Sequence, residues 1–159
     1  MQKIVTYLWF DNQAEEAANF YTSLFEDSKV TSISHYESDG PHEQRVGSVM
    51  IVSFQLAGQD FIALNGGPQF NFTEAVSLYV NCETQAEVDD LWERLTADGG
   101  EPGPCGWLKD KYGLSWQIIP TALPRLMDDP DPAKAQRVMA AMFTMTKIDI
   151  AALEAAHSG

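Results

Sequence analysis

The stretch that decides the fold of this chain is CGWLKDKYGLSWQIIP, residues 105–120. Its two apolar runs, Cys105 to Lys109 and Leu114 to Ile119, have the length of strands, and a polar segment that ends in Gly113 separates them. A short glycine-containing connection between two such runs is typical of a β-hairpin. Because side chains alternate between the faces of a strand, Trp116 should pack under a helix if Gln117 points the other way.

A strand and a helix are predicted immediately before this hairpin. Val76 to Cys82 reads as a strand, and Thr84 has the position of a helix N-cap, with Glu87 three residues later to complete a capping box. The apolar residues that follow recur at helical spacing and define a buried face: Val88, Leu91, Trp92 and Leu95. Residues 99–104 are rich in glycine and proline and are predicted to form a turn-rich connection.

The first half of the chain repeats this order of elements. The predicted elements are one strand, one helix and three strands: Ile4 to Phe10, Ala14 to Phe25, and residues 29–36, 46–56 and 61–64. Asp11-Asn12 could cap the helix. The halves align at an offset of 72 residues, the separation of Tyr7 and Tyr79. A small sheet with one helix leaves its other face uncovered, so we expect the two modules to pack or pair.

The tail after Pro120 has a different character. Leu123 to Met127 predicts a short amphipathic turn, Asp129-Pro130-Asp131-Pro132 is a rigid break, and two helices follow, the second capped by Asp149. Four of the six methionines lie in this tail. Methionine packs adaptably in irregular gaps and at interfaces, so two interpretations stay open: the tail covers the core, or it joins a second subunit.

Length and charge limit the possible functions. The chain has 159 residues and a mass of 17.6 kDa, which fits a single domain over 1–159, with modules at 1–68 and 74–120 and the tail at 121–159. Its net charge of −13 repels phosphate backbones and anionic lipids, so we expect neither nucleic acid nor membrane partners. Apolar runs are short and no signal peptide is evident, so a cytoplasmic location is predicted.

Both modules and the tail carry motifs of a known family. These are, in order, Trp9-Phe10-Asp11, Ala14-Glu15-Glu16-Ala17 and Phe20-Tyr21; Cys105 to Asp110 and Gly113 to Pro120; and Asp131 to Ala135, Arg137-Val138-Met139 and Lys147 to Ile150. With them the sequence resembles the PhnB-like branch of the glyoxalase/bleomycin-resistance/dioxygenase (vicinal oxygen chelate) superfamily. The resemblance covers essentially the whole chain, and residues 105–120 are its most specific part.

The resemblance implies an α+β fold in which two βαβββ modules form a curved mixed-sheet cleft, followed by a C-terminal helical tail. It also implies homodimers, and a cleft that holds Zn, Ni, Fe or Mn in metal-dependent members and small molecules in the others. Members of the branch carry the description demethylubiquinone methyltransferase. We do not adopt that activity, because neither Gly66-Gly67 nor residues 99–106 provide a glycine-rich turn between a strand and a helix for close approach to a cofactor.

The positions that hold metal ligands in relatives carry unsuitable side chains in this chain. Metal-dependent relatives place His or Glu on the first, fourth, fifth and eighth strands, and the resemblance assigns those positions to Thr6, Ala63, Ser77 and Gln117. Catalytic Zn and Fe sites need imidazole, thiolate or carboxylate ligands. The three histidines, His35, His42 and His157, are predicted on a polar strand and loop and near the C-terminus. We therefore expect no metal and no other cofactor.

A small-molecule pocket is predicted instead. Its six lining residues are Thr6, Asn65, Ser77, Cys105, Trp107 and Gln117. They are neutral, able to form hydrogen bonds and partly aromatic, which suits an uncharged or weakly polar organic ligand. The alternative is that these side chains fill the space among themselves. Cys105 is also a candidate nucleophile, but Lys109 lies about 13 Å along the same strand face, too far to activate it, so no catalytic residue is predicted.

The sequence thus favours a metal-free, homodimeric protein that binds a small molecule, with the question of catalysis left open. One alternative is a metal-dependent lyase or dioxygenase that uses loop histidines. The other is a protein-interaction module that binds another chain through its methionine-rich tail.

Overall fold

Each half of the chain folds into a four-stranded mixed sheet with one helix packed against it. The computed structural model describes all residues from Met1 to Gly159, and they group into unit 1, Met1–Asn71, and unit 2, Phe72–Gly159. Both units have the order strand, helix, three strands, so the predicted α+β class with two βαβββ modules and a helical tail is confirmed. The interpretation of 1–159 as a single domain stays a prediction.

Unit 1 forms its sheet in the order β1-β4-β3-β2, with β1 parallel to β4 and the other neighbours antiparallel. Its elements are β1 (Thr6–Phe10), α1 (Ala14–Leu24), β2 (Lys29–His35), β3 (Val49–Leu56) and β4 (Gln59–Asn65). Three alanines of α1, Ala14, Ala17 and Ala18, are fully buried. Their small side chains let the helix lie close to the sheet.

Side chains of unit 1 alternate between a face covered by α1 and an open face. The Tyr21 ring of α1 lies 6.4 Å from the Phe54 ring of β3, which stacks on Phe61 of β4 at 5.4 Å. Phe61 is the cross-strand partner of Thr6, so Thr6 is on the helix-covered face. Tyr7, the next residue, is on the open face and is 52% exposed.

Helix α1 begins with a hydrogen bond from a neighbouring strand. The predicted cap at Asp11-Asn12 is wrong: Gln13 is the N-cap and its side chain makes no capping bond. Instead, Asn65 Oδ1 accepts a 2.8 Å hydrogen bond from the Ala14 backbone N–H, while Asn65 Nδ2 donates to the Val49 carbonyl. Asn65 is 5% exposed and joins α1 to the sheet.

Unit 2 repeats the pattern in the order β5-β8-β7-β6, with β5 parallel to β8. Its elements are β5 (Ser77–Cys82), α2 (Gln85–Thr96), β6 (Glu101–Pro102), β7 (Trp107–Lys109) and β8 (Ser115–Pro120). The capping box of α2 is confirmed, since Thr84 Oγ1 accepts from the Glu87 N–H. Glu87 Oε2 accepts in return from the N–H of Glu83, one residue before the cap.

The predicted hairpin of residues 105–120 is present and is held by Asp110, which is 2% exposed. Asp110 Oδ1 accepts hydrogen bonds from the Tyr112 and Leu114 backbone N–H groups, and Oδ2 accepts from the Trp116 indole N–H at 2.9 Å. Trp116 is 1% exposed and lies on the same face as Leu108, beneath α2, as predicted. The opposite face of this sheet is called the open face of unit 2.

Two predictions for this region need correction. Cys105 and Gly106 are not part of the strand: they lie in a short 3-10 turn, Pro104–Gly106, in which Cys105 has a left-handed φ of 58°. Residues 99–104 also contain a short edge strand, β6, that the sequence did not predict.

The tail packs onto unit 2 through α3 (Ala122–Met127), α4 (Pro132–Met142) and α5 (Ile150–Ser158). A buried cluster joins it to β8: Ile119, Ala122, Leu123, Leu126, Val138, Ile148 and Leu153. Met127, Met142 and Met145 pack against this cluster, so the tail covers the core of unit 2. The cap of α5 by Asp149 is confirmed. None of the helices combines the length and apolar character that a membrane crossing requires.

Candidate functional site

Two rows of side chains cross the open face of unit 2. Residues paired across strands share a face, so the sheet register defines both rows. The aromatic row consists of Trp107, Gln117 and Tyr79 on β7, β8 and β5. The polar row consists of Glu101, Lys109, Ser115 and Ser77 on β6, β7, β8 and β5.

The aromatic row forms the floor of a cavity of about 430 Å³, called here the aromatic pocket. Cys105, Trp107 and Gln117, three of the six predicted site residues, line it together with Tyr79. Met142 and Phe143, at the end of α4, form another wall. The sequence predicted helices in this part of the tail but no site residue, because nothing in the spacing indicates that α4 ends over the sheet.

Ser77, another of the six predicted site residues, orients the Gln117 side chain. Gln117 Nε2 donates a 3.0 Å hydrogen bond to Ser77 Oγ. This contact directs the amide so that Oε1 keeps its capacity to accept a hydrogen bond from a group in the pocket. Ser77 therefore acts as a positioning residue for Gln117.

Tyr79 was not predicted as a site residue. The residue is 50% exposed, and the burial of the other half raises the pKa of the hydroxyl above its ordinary value. The hydroxyl therefore stays neutral and can donate a hydrogen bond at neutral pH. Strand alternation could have identified it, because Tyr79 lies two residues after Ser77.

The wall that contains Cys105 is fixed by backbone hydrogen bonds to the tail. The Cys105 N–H donates to the Met145 carbonyl and the Gly106 N–H to the Thr146 carbonyl, both at 2.8 Å. Gly106 has a φ of 84°, and a Cβ atom there would lie 2.7 Å from Ile119 Cδ1. Glycine is needed at this point for both its conformation and its size.

The two cysteines have different environments. Cys82 is fully buried, and burial, followed by the nearby charges of Glu87 and Glu83, raises the pKa of its thiol to about 12. It therefore remains a protonated core residue. Cys105 is a free, half-buried thiol at the pocket wall, and Lys109, which the sequence placed on its strand face, pairs instead with Glu74.

The other two predicted site residues, Thr6 and Asn65, belong to unit 1 and are not brought to its open face. Thr6 pairs with Phe61 and Asn65 pairs with Phe10, and both partners are buried under α1. Thr6 and Asn65 therefore lie on the face that α1 covers, and the open face of β1 and β4 carries the residues one position along each strand. A role of Thr6 and Asn65 in ligand binding stays a prediction, and the structural hydrogen bonds of Asn65 do not favour it.

The residues at the positions of metal ligands do not fit a metal ion. Ala63 is fully buried and has no donor atom, and the Gln117 amide already donates to Ser77. Nowhere in the structure do three or more His, Cys, Asp or Glu side chains gather in a way that could hold a metal. His35 ends β2, His42 lies in an exposed loop, and His157 Nε2 contacts Asp129 at 2.8 Å.

The glycine-rich segments also do not form a cofactor-binding turn of the usual methyltransferase type. Gly66 follows β4, but no helix begins after it; its missing side chain makes room for the Trp9 ring, with which a Cβ atom at this position would collide. The three turns that do lead from a strand into an α-helix, residues 11–13, 83–84 and 121, contain no glycine.

Comparison with known proteins agrees with the PhnB-like resemblance of the sequence. The sequence matches the family model described as 3-demethylubiquinone-9 3-methyltransferase over residues 2–119. A PhnB protein from Bacillus cereus is 42% identical, with the match covering 76% of this chain and 100% of that protein at a TM-score of 0.67. Protein PA1353 from Pseudomonas aeruginosa is 18% identical over 76% of this chain and 98% of that protein, with a TM-score of 0.59, a likeness of fold alone.

A glyoxylase/bleomycin resistance protein/dioxygenase domain from Frankia sp. EAN1pec is 15% identical, covering 76% of this chain and 92% of that domain, at a TM-score of 0.48. No curated protein sequence matches this chain.

Proposed function

We propose that this chain, which belongs to the PhnB-like family described as 3-demethylubiquinone-9 3-methyltransferase, binds an uncharged aromatic small molecule in the aromatic pocket of unit 2. The observation that carries the proposal is the assembly of Trp107, Gln117 and Tyr79 in one row beneath a cavity of about 430 Å³. That volume lies within the range of ordinary small-molecule sites. The proposal assigns binding and no reaction, and it requires no metal.

The chemistry of the walls supports a planar, neutral ligand. Trp107 and Phe143 offer ring surfaces, and Met142 offers a polarisable side chain that adapts to aromatic partners. Lysine, arginine, aspartate and glutamate are not among the residues that line the pocket. A charged ligand would lose its hydration there without gaining an ionic partner.

The hydrogen-bonding groups add a requirement for a donor on the ligand. Gln117 Oε1 can accept a hydrogen bond because Nε2 is held by Ser77 Oγ. A phenol O–H or an indole N–H would supply the donor while its ring lies between Trp107 and Phe143. We therefore propose phenols and indoles as the ligand class.

Titration of the purified protein with indole and phenol, followed by two-dimensional NMR, tests the proposal. Both probes should shift the amide signals of Trp107, Gln117 and the residues around Phe143, whereas benzoate should not. Gln117→Leu removes one neutral hydrogen bond of about 1 kcal/mol and should weaken indole binding about fivefold. Gln136→Leu, on the exposed side of α4, is the matched control and should bind as the wild type does.

A second variant separates the ring surface from the hydrogen bond. Phe143 is 65% exposed, so Phe143→Ala should leave the fold intact and still reduce indole affinity. Equal affinity in the wild type, Gln117→Leu and Phe143→Ala would overturn the proposed pocket.

The assembly and location of the protein are part of the same proposal. We propose a homodimer, supported by the large side chains that the isolated chain leaves exposed on its sheets, among them Tyr7 and Tyr79. A cytoplasmic location also stays as proposed from the sequence.

A further inference from the structure

A second cavity of about 390 Å³ lies over the polar row of unit 2. It shares Trp107 and Pro104 with the aromatic pocket, but its other lining groups differ in kind. Besides Pro102, Gly103 and Leu108, they are two carboxylates, one ammonium group and one hydroxyl: Glu74, Glu101, Lys109 and Ser115. The aromatic pocket uses none of these four residues.

Ser115 is the group in this cavity that points to a ligand. It is 1% exposed, and its Oγ is buried without a hydrogen-bond partner. Its backbone is in β8, where Trp116 faces α2, so the Ser115 side chain is directed to the open face that carries the cavity. Buried polar atoms in folded proteins nearly always have a partner, and a bound molecule with a polar hydrogen would supply one.

The charges around Ser115 determine the sign of the charge that the bound molecule carries. Lys109 is the cross-strand partner of both Ser115 and Glu101, which puts the Cβ atoms of neighbouring pairs about 5 Å apart. The Lys109 ammonium group is already in contact with the Glu74 carboxylate, and Glu101 is a second carboxylate beside it. Two carboxylates and one ammonium group leave one negative charge.

The apolar walls determine the rest of the ligand. Trp107 presents an aromatic surface and Pro104 an aliphatic one. A cation beside an indole ring gains a cation–π attraction in addition to its contact with a carboxylate. The net charge of −13 further favours the approach of a cation over that of an anion.

From this arrangement we propose a second ligand site, for a small organic amine in its ammonium form. The ammonium group lies over the polar row beside Lys109, donates a hydrogen bond to Ser115 Oγ and is attracted by the Glu101 and Glu74 carboxylates, and the hydrocarbon part packs on Trp107 and Pro104. The site shares Trp107 and Pro104 with the aromatic pocket but uses different polar groups, and its occupation does not depend on the function proposed above.

The test uses three probes of similar shape and different charge: 2-phenylethylamine, 2-phenylethanol and 3-phenylpropionate. Their affinities are measured on the intact protein by NMR titration at neutral pH, from the signals of Ser115, Lys109 and Glu101 alone, so that binding of the alcohol in the aromatic pocket is not counted. The amine should bind at least tenfold more tightly than the alcohol or the carboxylate, with shifts at Ser115, Lys109 and Glu101. Equal affinity of the amine and the alcohol would overturn the proposal, as would preferential binding of the carboxylate.

Two variants with matched controls locate the site. Ser115→Ala and Glu101→Gln should each lower the amine affinity about tenfold, the effect of losing a hydrogen bond or an ionic contact to a charged group. Ser34→Ala on the exposed strand β2 and Glu93→Gln on the exposed side of α2 are the controls and should have no effect. Unchanged amine affinity in both Ser115→Ala and Glu101→Gln would rule out this site.

Two further measurements separate loss of amine binding from loss of folding and from failure of the aromatic pocket. Ser115→Ala removes a buried hydroxyl that has no partner, so the Tm of this variant should be equal to or above that of the wild type. Glu101 is exposed, so Glu101→Gln tests the site even if Ser115→Ala unfolds. Gln117→Leu should leave amine binding unchanged, so failure of the aromatic pocket and failure of the amine site give different results.

Discussion

Asp110 shows how a single side chain can define a hairpin. Its carboxylate accepts hydrogen bonds from two turn N–H groups and from the Trp116 indole, and Asp110 and Trp116 themselves are almost fully buried. Because these bonds set the turn, they also set which residues of β8 face α2 and which face the open side. The positions of Ser115 and Gln117 in the two cavities follow from this register.

Asp110→Ala should therefore lower the free energy of unfolding by about 3 kcal/mol, because it leaves three N–H donors without their charged acceptor. Urea unfolding followed by tryptophan fluorescence measures the change. Asp90→Ala, at an exposed position of α2, is the control and should change the free energy by less than about 0.5 kcal/mol. A loss below about 1 kcal/mol in Asp110→Ala would mean that the hairpin does not depend on this network.

Residue-level patterns also explain one limit of the sequence analysis. After Thr6, strand β1 has Leu8 and Phe10 on one face and Tyr7 and Trp9 on the other. Because both faces carry apolar or aromatic side chains, alternation alone does not show which side is buried, and the predicted face of Thr6 is wrong. The repeat offers the missing information. Its offset matches Tyr7 with Tyr79, and Tyr79 shares a face with Gln117, so Tyr7 is the open-face residue.

At the scale of elements, the tail is attached to α2 mainly through one side chain. Gln85 Nε2 donates to the Ile148 carbonyl, and Gln85 Oε1 accepts from the Ile150 N–H at 2.8 Å. Lys147 adds a contact of 2.8 Å to Asp89. These bonds hold the segment that leads into α5, whose Leu153 is fully buried.

Gln85→Ala should loosen α5 without unfolding unit 2, because both backbone groups lose their partner while the apolar cluster remains. Hydrogen exchange of the amides at residues 150–158 should become about tenfold faster, and exchange in β8 should stay as in the wild type. The repeat supplies the control: Gln13 is the counterpart of Gln85 in unit 1, and Gln13→Ala should leave α5 unchanged. Uniform acceleration in β8 and α5 would show instead that the tail and the sheet open together.

Elements with a clear pattern were predicted well, and those without one were not. The capping box of α2, the hairpin and the repeated βαβββ order depend on local sequence signals and are confirmed. Strand β6 has two residues and is too short to show a pattern. The turn at Cys105 could not be predicted because its left-handed backbone is stabilised by bonds to Met145 and Thr146, about 40 residues further along the chain.

At the scale of the whole molecule, the charge of −13 acts against association of identical chains. If the protein is a homodimer, as proposed, contacts between apolar surfaces must exceed this repulsion. Salt screens the repulsion, so the dimer should become more stable as ionic strength rises.

Light scattering after gel filtration should therefore give a mass of twice 17.6 kDa at about 0.15 M salt, and a larger share of monomer at about 0.01 M. Native mass spectrometry on the same sample also reports any retained metal or organic ligand. A mass of 17.6 kDa at every ionic strength would exclude the dimer. A dimer that weakens with added salt would show that ionic contacts hold it.

The path of the chain through unit 2 has a consequence for its synthesis on the ribosome. Trp107 and Gln117 are made well before Met142 and Phe143, which form a wall of the aromatic pocket, and before Met145, whose carbonyl holds the turn at Cys105. Translation adds about 5–20 residues per second, so the sheet of unit 2 can emerge and pair for a second or more while the pocket has no wall on that side. A nascent chain at this stage is expected to expose its aromatic row to chaperones, and the ligand binding proposed for the aromatic pocket requires that the tail has first left the exit tunnel.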